Sequence, residues 1–250
     1  IAAEDSIAKW DGSSWSALGD GLSTGVYALA SSGADLHVGG IFTDAGGDAS
    51  ADYHAVWDGV AWKPAGTGLN GFVFSILTNG PDVFLGGQFT DAGGVATSDY
   101  LAKWENQQDG EYGWFSLAGS SNISGYEIYT IEIHDGNIFI GGAFSNQSGA
   151  SSGKNVAMWD GANWVSLGLG LNDHVHTLHH TGSYLYAGGA FTDAGGDSDA
   201  DHIALWNGNS WQSVGHAANQ RVEVITGTED TLYIGGAFSN FAGNNDADKI

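Results

Sequence analysis

The stretch Gly39-Gly40-Ile41-Phe42-Thr43-Asp44-Ala45-Gly46-Gly47 decides the fold, because it returns almost unchanged at 86–94 and 188–196. Looser copies stand at 141–149 and 235–243. Each copy closes a short apolar run with a glycine pair and places a phenylalanine two residues on: Phe42, Phe89, Phe144, Phe191 and Phe238. Tryptophans keep the same phase. Trp10, Trp57, Trp104, Trp159 and Trp206 form one register and Trp15, Trp62, Trp114, Trp164 and Trp211 another, which uses all ten. The first register steps by 47 residues, except for 55 between Trp104 and Trp159. A fixed period of this size marks a solenoid, a propeller or an array.

Within one period the sequence reads as four short strands. Val26 to Ala30 is a β-prone run closed by the turn composition Ser31-Ser32-Gly33-Ala34-Asp35, and Leu36-His37-Val38 alternates into the glycine pair. A longer loop leads to His54-Ala55-Val56-Trp57, and Asp58-Gly59 before Trp62 is a hairpin signal repeated at Asp11-Gly12, Asp160-Gly161 and Asn207-Gly208. Four strands joined by connections short enough for antiparallel neighbours make a propeller blade. The expectation is an all-β, five-bladed β-propeller in a single domain over 1–250. Its repeats run about 19–65, 66–118, 119–167, 168–214 and 215–250, the last completed by 1–18. Ile7 and Ile250 stand in the same phase, so the terminal strands are expected to pair in one blade and close the ring, which removes exposed sheet edges. The equal phase also fits one ring of a longer array. The third repeat is longer, with extra residues between Glu105 and Trp114 and again in 118–125; such insertions are either drift or part of a functional face.

With its apolar run ending in Gly-Gly, then Trp-Asp-Gly and a second tryptophan, the unit resembles the kelch family. The Gly-Gly-x-Phe-Thr-x-Ala-Gly-Gly form is similar to tandem repeats of bacterial secreted or surface proteins and of some fungal cortical marker proteins. The resemblance implies a blade and an extracellular or cell-surface setting; it implies no single activity, because one propeller topology hosts unrelated functions. The period also resembles that of five-bladed tachylectin-type lectins, in architecture only, since their motifs are absent. The copper chemistry of galactose-oxidase-like kelch propellers needs a cysteine, and this chain has none.

Charge narrows the partners. Six Lys+Arg against 29 Asp+Glu give a formal net charge of -23. Nucleic acid is excluded as a partner because nothing here neutralises phosphates. No apolar run reaches the length of a membrane span. A glycan, a protein or a cation remains.

Three constellations are candidates for chemistry. The acidic loops after the glycine pairs supply Asp44, Asp48 and Asp52; Asp91 and Asp99; Asp193, Asp197, Asp199 and Asp201; Asp246 and Asp248. Carboxylates among glycines are candidate Ca²⁺ ligands, foremost Asp193, Asp197, Asp199 and Asp201 with Asp44, Asp48 and Asp52. The competing reading makes them turn residues bonded to local backbone. His174, His176, His179 and His180 crowd into seven residues. His174 and His176, two apart on a strand, share a face and are a possible metal pair, against a plainer channel-facing role. The tryptophans, two per repeat, read as packing between blades rather than as sugar platforms. No nucleophile elbow, zinc-protease helix or phosphate loop is present. The expected function is a non-enzymatic binding or scaffold module of an extracellular or surface protein, taking carbohydrate or protein on an acidic loop face. The alternatives are a structural spacer and an enzyme using the loop carboxylates.

Overall fold

The structure, a computed structural model, describes residues 6–95, 99–106, 112–117, 123–146, 154–215 and 218–239. Residues 107–111 and 118–122 of the third-repeat insertions, and Asp246 and Asp248 of the acidic loops, lie outside the described residues. The chain divides into two compact units, 1–121 and 122–250.

All regular structure among the described residues is β apart from one 3-10 turn, Ala45–Gly47. The first unit opens with the pair β1 (Lys9–Trp10) and β2 (Trp15–Ser16). Two four-stranded sheets follow. The first holds β3 (Val26–Ser32), β4 (Asp35–Gly40), β5 (His54–Trp57) and β6 (Trp62–Pro64). The second holds β7 (Val73–Asn79), β8 (Asp82–Gly87), β9 (Leu101–Asn106) and β10 (Tyr112–Ser116).

The second unit begins with a third sheet of β11 (Ile123–His134), β12 (Asn137–Asn146), β13 (Lys154–Trp159) and β14 (Trp164–Ser166). A fourth contains β15 (Val175–Thr181), β16 (Tyr184–Gly189), β17 (Ile203–Trp206) and β18 (Trp211–Ser213). The pair β19 (Val222–Thr228) and β20 (Thr231–Gly236) is the last among the described residues. In each four-stranded sheet the strands pair in chain order and antiparallel, the meander of a propeller blade. The pairs β1–β2 and β19–β20 stand as separate two-stranded sheets.

The glycine pair has a geometric cause. The first strand of each sheet carries a β-bulge opposite it: Val26 faces Gly40 and Ala28 faces Gly39, so Tyr27 is the extra residue. The bulge recurs at Phe74, Tyr129, His176 and Glu223. It drives a backbone carbonyl toward the second glycine, where a Cβ would lie 2.2 Å from the Gly25 oxygen at Gly40 and 2.0 Å from the His174 oxygen at Gly189. The first glycine admits the neighbouring sheet instead; a Cβ on Gly39 would stand 2.4 Å from Val73 Cγ1.

The rest of the motif builds the core. Phe42, Phe89 and Phe191 are completely buried, with Ala45, Ala92 and Ala194 beside them in their clusters. The glycine after each alanine takes a left-handed φ, +61° at Gly93, and a Cβ there would lie 2.2 Å from Trp114 Cδ1. The second tryptophan also ties sheets together. Trp62 Nε1 donates to the Leu18 carbonyl (2.8 Å), Trp114 to Ala65 (3.0 Å) and Trp211 to Leu167 (2.9 Å). Each bond reaches back to the residue just past the preceding fourth strand, so a buried indole finds its partner in the neighbouring blade. Trp164 Nε1 is buried without a partner among the described residues.

The third sheet departs from expectation. The sequence places 118–125 in a loop, yet Ile123 to Gly125 pair with Asn146 to Phe144 as an extension of β11 and β12. That repeat reads Ser145-Asn146-Gln147-Ser148-Gly149 where the first, second and fourth have Thr-Asp-Ala-Gly-Gly.

Candidate functional site

Meander topology gathers two sets of connections at one end of each sheet: the loop after the second strand and the link from one fourth strand to the next first strand. An asparagine clips them together. Asn70 Oδ1 accepts from Thr90 N (2.8 Å) and Asp91 N (3.0 Å), while its Nδ2 donates to Thr90 Oγ1 (3.0 Å). Asn172 repeats this with Thr192 and Asp193, and Asn219 with Ser239. In the first sheet the shorter Ser23 takes the place, its Oγ donating to the Thr43 carbonyl at 3.2 Å. Backbone bridges Leu69–Ala92 and Leu171–Ala194 reinforce the clip. The signal of the clip in the sequence is an Asn or Ser paired with a Thr or Ser twenty residues on, four times over.

The carboxylates on this framework mostly bond to nearby backbone. Asp193 accepts from Gly196 N at 2.7 Å, and its counterpart Asp91 from Gly94 N at the same distance. Asp197 accepts from Asp199 N (3.0 Å) and Ser213 N (3.1 Å). Asp48 accepts from Ser50 N (2.9 Å), and Asp52 from the amide of Asp44 (2.8 Å), a residue held at φ 55°. Asp199, Asp44 and Asp48 are exposed, and Asp201 is partly so. Among the described residues no three His, Asp or Glu side chains converge as a metal-ligating group. Of the seven aspartates named as Ca²⁺ ligands, Asp193, Asp197, Asp48 and Asp52 accept from backbone amides of their own two loops or the strand beside them. Burial, and then the Asp91 charge, raises the carboxyl of Asp99.

The bulge residues of neighbouring first strands touch in a row. In the first unit the row is aromatic, Tyr27 against Phe74 with ring centres 5.7 Å apart. In the second unit it is polar: the Tyr129 ring lies 5.4 Å from that of His176, whose Nδ1 is 2.6 Å from Glu223 Oε2. Burial works to raise the Glu223 carboxyl, but hydrogen bonds from Arg221 and His176 outweigh it and hold it below its usual value. His174 has its ring 6.1 Å from Tyr129. His174 and His176 thus both lie against the same tyrosine ring.

The remaining two histidines of the group lie deeper. His179 Nε2 meets the Gly227 carbonyl at 3.3 Å, and His180 stacks on His134 with centroids 3.4 Å apart. Burial, then the His134 charge, pushes His180 down to about 4. Glu132, whose Oε1 accepts from His180 N, is raised by burial.

The tryptophans of the four-stranded sheets are packing, whereas Trp10 and Trp15 of the β1–β2 pair are exposed. Trp62, Trp104, Trp114, Trp164 and Trp211 are buried, and third-strand and fourth-strand partners contact at 4.9 Å for Trp104–Trp114 and 5.3 Å for Trp57–Trp62.

No family model matches the chain, and no curated protein does. Among solved structures it is similar to the computationally designed Ika4 protein, at 16% identity and TM-score 0.46, over 75% of this chain and 94% of that one. The designed Ika8 protein is similar at 13% identity and TM-score 0.45, over 88% and 72%. An acylaminoacyl peptidase of Pyrococcus horikoshii is similar at 11% identity and TM-score 0.41, over 90% of this chain and 40% of the peptidase.

Proposed function

We propose that this chain is a non-enzymatic binding or scaffold module of an extracellular or surface protein, with the clipped loop end as its ligand surface. One observation carries the reading. The Asn clip fixes the same loop pair in both units, while the exposed residue two past each clip asparagine differs: Phe72, His174 and Arg221. A constant frame with varied, solvent-facing groups is what a recognition surface needs. With a net charge of -23, that surface favours a cationic protein patch, or a glycan whose hydroxyls donate to carboxylates. The kelch-like form of the repeat and the extracellular setting it implies belong to the same reading. A spacer role is the second reading, favoured by the number of carboxylates already bonded to backbone.

The test is a glycan and surface-protein array probed with and without Ca²⁺, using the wild type and a variant with Asp44, Asp48, Asp199 and Asp201 all changed to Asn. A ligand lost by the variant at unchanged melting temperature supports the module. Silence across the arrays favours the spacer, and carboxylate-dependent turnover of a hydrolase substrate would make it an enzyme.

Closure of five blades is part of the proposal. Each of the two-stranded sheets is half of a four-stranded blade, and in this reading β1–β2 completes the β19–β20 sheet. His37 pairs with Val56 in the first sheet, so the closed blade would set Tyr233 against Lys9. Cysteines at 9 and 233 should oxidise within one molecule; formation only between molecules would mean an open array.

A further inference from the structure

His37 and His54 depart from the repeat together. At the register of His37 the other repeats carry Phe84, Phe139, Tyr186 and Tyr233; at that of His54 they carry Leu101, Val156 and Ile203. An aromatic and an aliphatic side chain thus fill this part of the core elsewhere. In the first sheet both are imidazoles, 5% and 0% exposed, with His37 Nδ1 3.1 Å from His54 Nε2. Burying two polar rings where apolar ones fit lowers stability unless every nitrogen is paired. They are not all paired: His54 Nδ1 is buried with no partner. A local rule broken twice at one contact, with no packing gain, marks a site kept for another reason.

The proton positions follow from the contact. Burial holds His54 well below the ordinary imidazole range, and His37 below it, so both are neutral at pH 7. An unpaired buried N–H is rarer and costlier than an unpaired acceptor. The proton of His54 therefore sits on Nε2 and is donated to His37 Nδ1. That leaves His37 protonated at Nε2, a nitrogen with no protein partner among the described residues.

His37 lines a cleft of about 460 Å³ between the hairpin ends of the first and second sheets, with Asp35, Asp58, Lys63 and Trp104. This is the end opposite the clipped loops. The mouth is held by Ser32 Oγ donating to the Gly80 carbonyl and Thr78 Oγ1 to that of Ser31, and Lys63 Nζ rests 2.6 Å from Asp58 Oδ2. The cleft so presents fixed acceptors, fixed donors and one indole wall.

We propose that this cleft is a binding site for a neutral, hydroxyl-rich ligand, one or two sugar rings, oriented by a hydrogen bond from His37 Nε2. Its volume is that of a small-molecule site. Each hydroxyl both donates and accepts, which matches carboxylates at Asp35 and Asp58 beside donors at His37 and Lys63. A cation there meets Lys63, and an anion meets the two aspartates. The equivalent cleft between the fourth sheet and β19–β20, about 470 Å³, has Tyr186 in place of His37 and no histidine or lysine lining it. It serves as an internal control.

The experiment is long-range ¹H–¹⁵N NMR of the histidine side chains of the whole chain, titrated with methyl α-glucoside, methyl β-galactoside, methyl α-mannoside and N-acetylglucosamine. At least one should move the His37 Nε2 signal saturably. A variant with His37→Phe and His54→Leu installs the residues of the second repeat, so it should fold and melt at or above the wild-type temperature. Its affinity for that sugar should fall about tenfold, the loss expected of one directing hydrogen bond. Tyr186→Phe should bind as the wild type does. No saturable shift with any of the four sugars, or undiminished binding by the double variant, overturns the site.

Discussion

The first and fourth sheets match strand for strand: seven, six, four and three residues, with the same bulge and the same pairing register. They differ in what hangs on that frame. The first buries His37 against His54 where the fourth has Tyr186 and Ile203, and it presents Tyr27 at the bulge where the fourth presents His176 bonded to Glu223. Positions that must be glycine, phenylalanine or tryptophan are the same in both, because a backbone carbonyl or an indole leaves no choice. Positions free of that constraint have diverged, and chemistry is to be sought among them.

The strongest way to break the comparison is at a shared position. Gly189→Ala drives a Cβ to 2.0 Å from the His174 carbonyl, and Gly40→Ala to 2.2 Å from that of Gly25. Backbone cannot step aside as a side chain can, so each should cost about 3 kcal/mol of stability. Thermal melts followed by circular dichroism should show nearly equal losses. A wild-type melt for either variant would refute the bulge as the cause of the glycine pair.

The tryptophan lock is the next largest shared element. Trp62→Phe and Trp211→Phe both remove a buried N–H donor and leave the Leu18 or Leu167 carbonyl without it. Each should lower stability by about 2 kcal/mol in urea unfolding. A loss at one site and none at the other would show that the two sheets are not locked alike.

The blade was legible in the sequence because its determinants are periodic. Gly-Gly, the phenylalanine and both tryptophans recur in phase, and each answers a clash or a buried contact that recurs with them. The loop end was less legible. Asn70 and Asn172 bond across twenty residues, a link that composition hides and only the meander reveals. Ile123 to Gly125 were misplaced in a loop because strand extension there depends on the partner Phe144 to Asn146, not on local propensity. His54 was invisible as a departure until the structure put it against His37, since a histidine entering a strand gives no warning of full burial.

Acid sharpens the contrast between the two sheets at their differing core positions. Unfolded, His54 titrates near its ordinary value of 6.5; folded, burial holds it well below that. The unfolded chain therefore binds the proton first, and stability present above pH 6.5 is lost as pH falls below it. By pH 5.5 the loss from this one residue should reach about 1 kcal/mol relative to pH 7. His54→Leu should remove that part of the pH dependence, whereas Ile203→Val in the fourth sheet should leave it intact. An unchanged acid profile for His54→Leu would mean that the imidazole charges freely in the folded chain.

The smallest effect expected is at the loop carboxylates, where cap and cation readings part. Asp193 Oδ1 caps Gly196 N and Asp197 caps Asp199 N and Ser213 N. Asn keeps the capping oxygen, so Asp193→Asn should change stability by only a few tenths of a kcal/mol, while Asp193→Ala should cost about 1 kcal/mol. The first sheet gives the matched case, with Asp48 capping Ser50 N and Asp52 the amide of Asp44. A turn cap responds to the loss of its oxygen and is indifferent to calcium. A cation ligand responds to the loss of charge, so Asn would act like Ala and Ca²⁺ would raise the wild-type melting temperature. Melting the three forms with Ca²⁺ and with chelator separates the two. The expected result is three calcium-independent curves with only the alanine variant displaced; a calcium-dependent rise lost in Asp193→Asn would place a cation in the fourth-sheet loop.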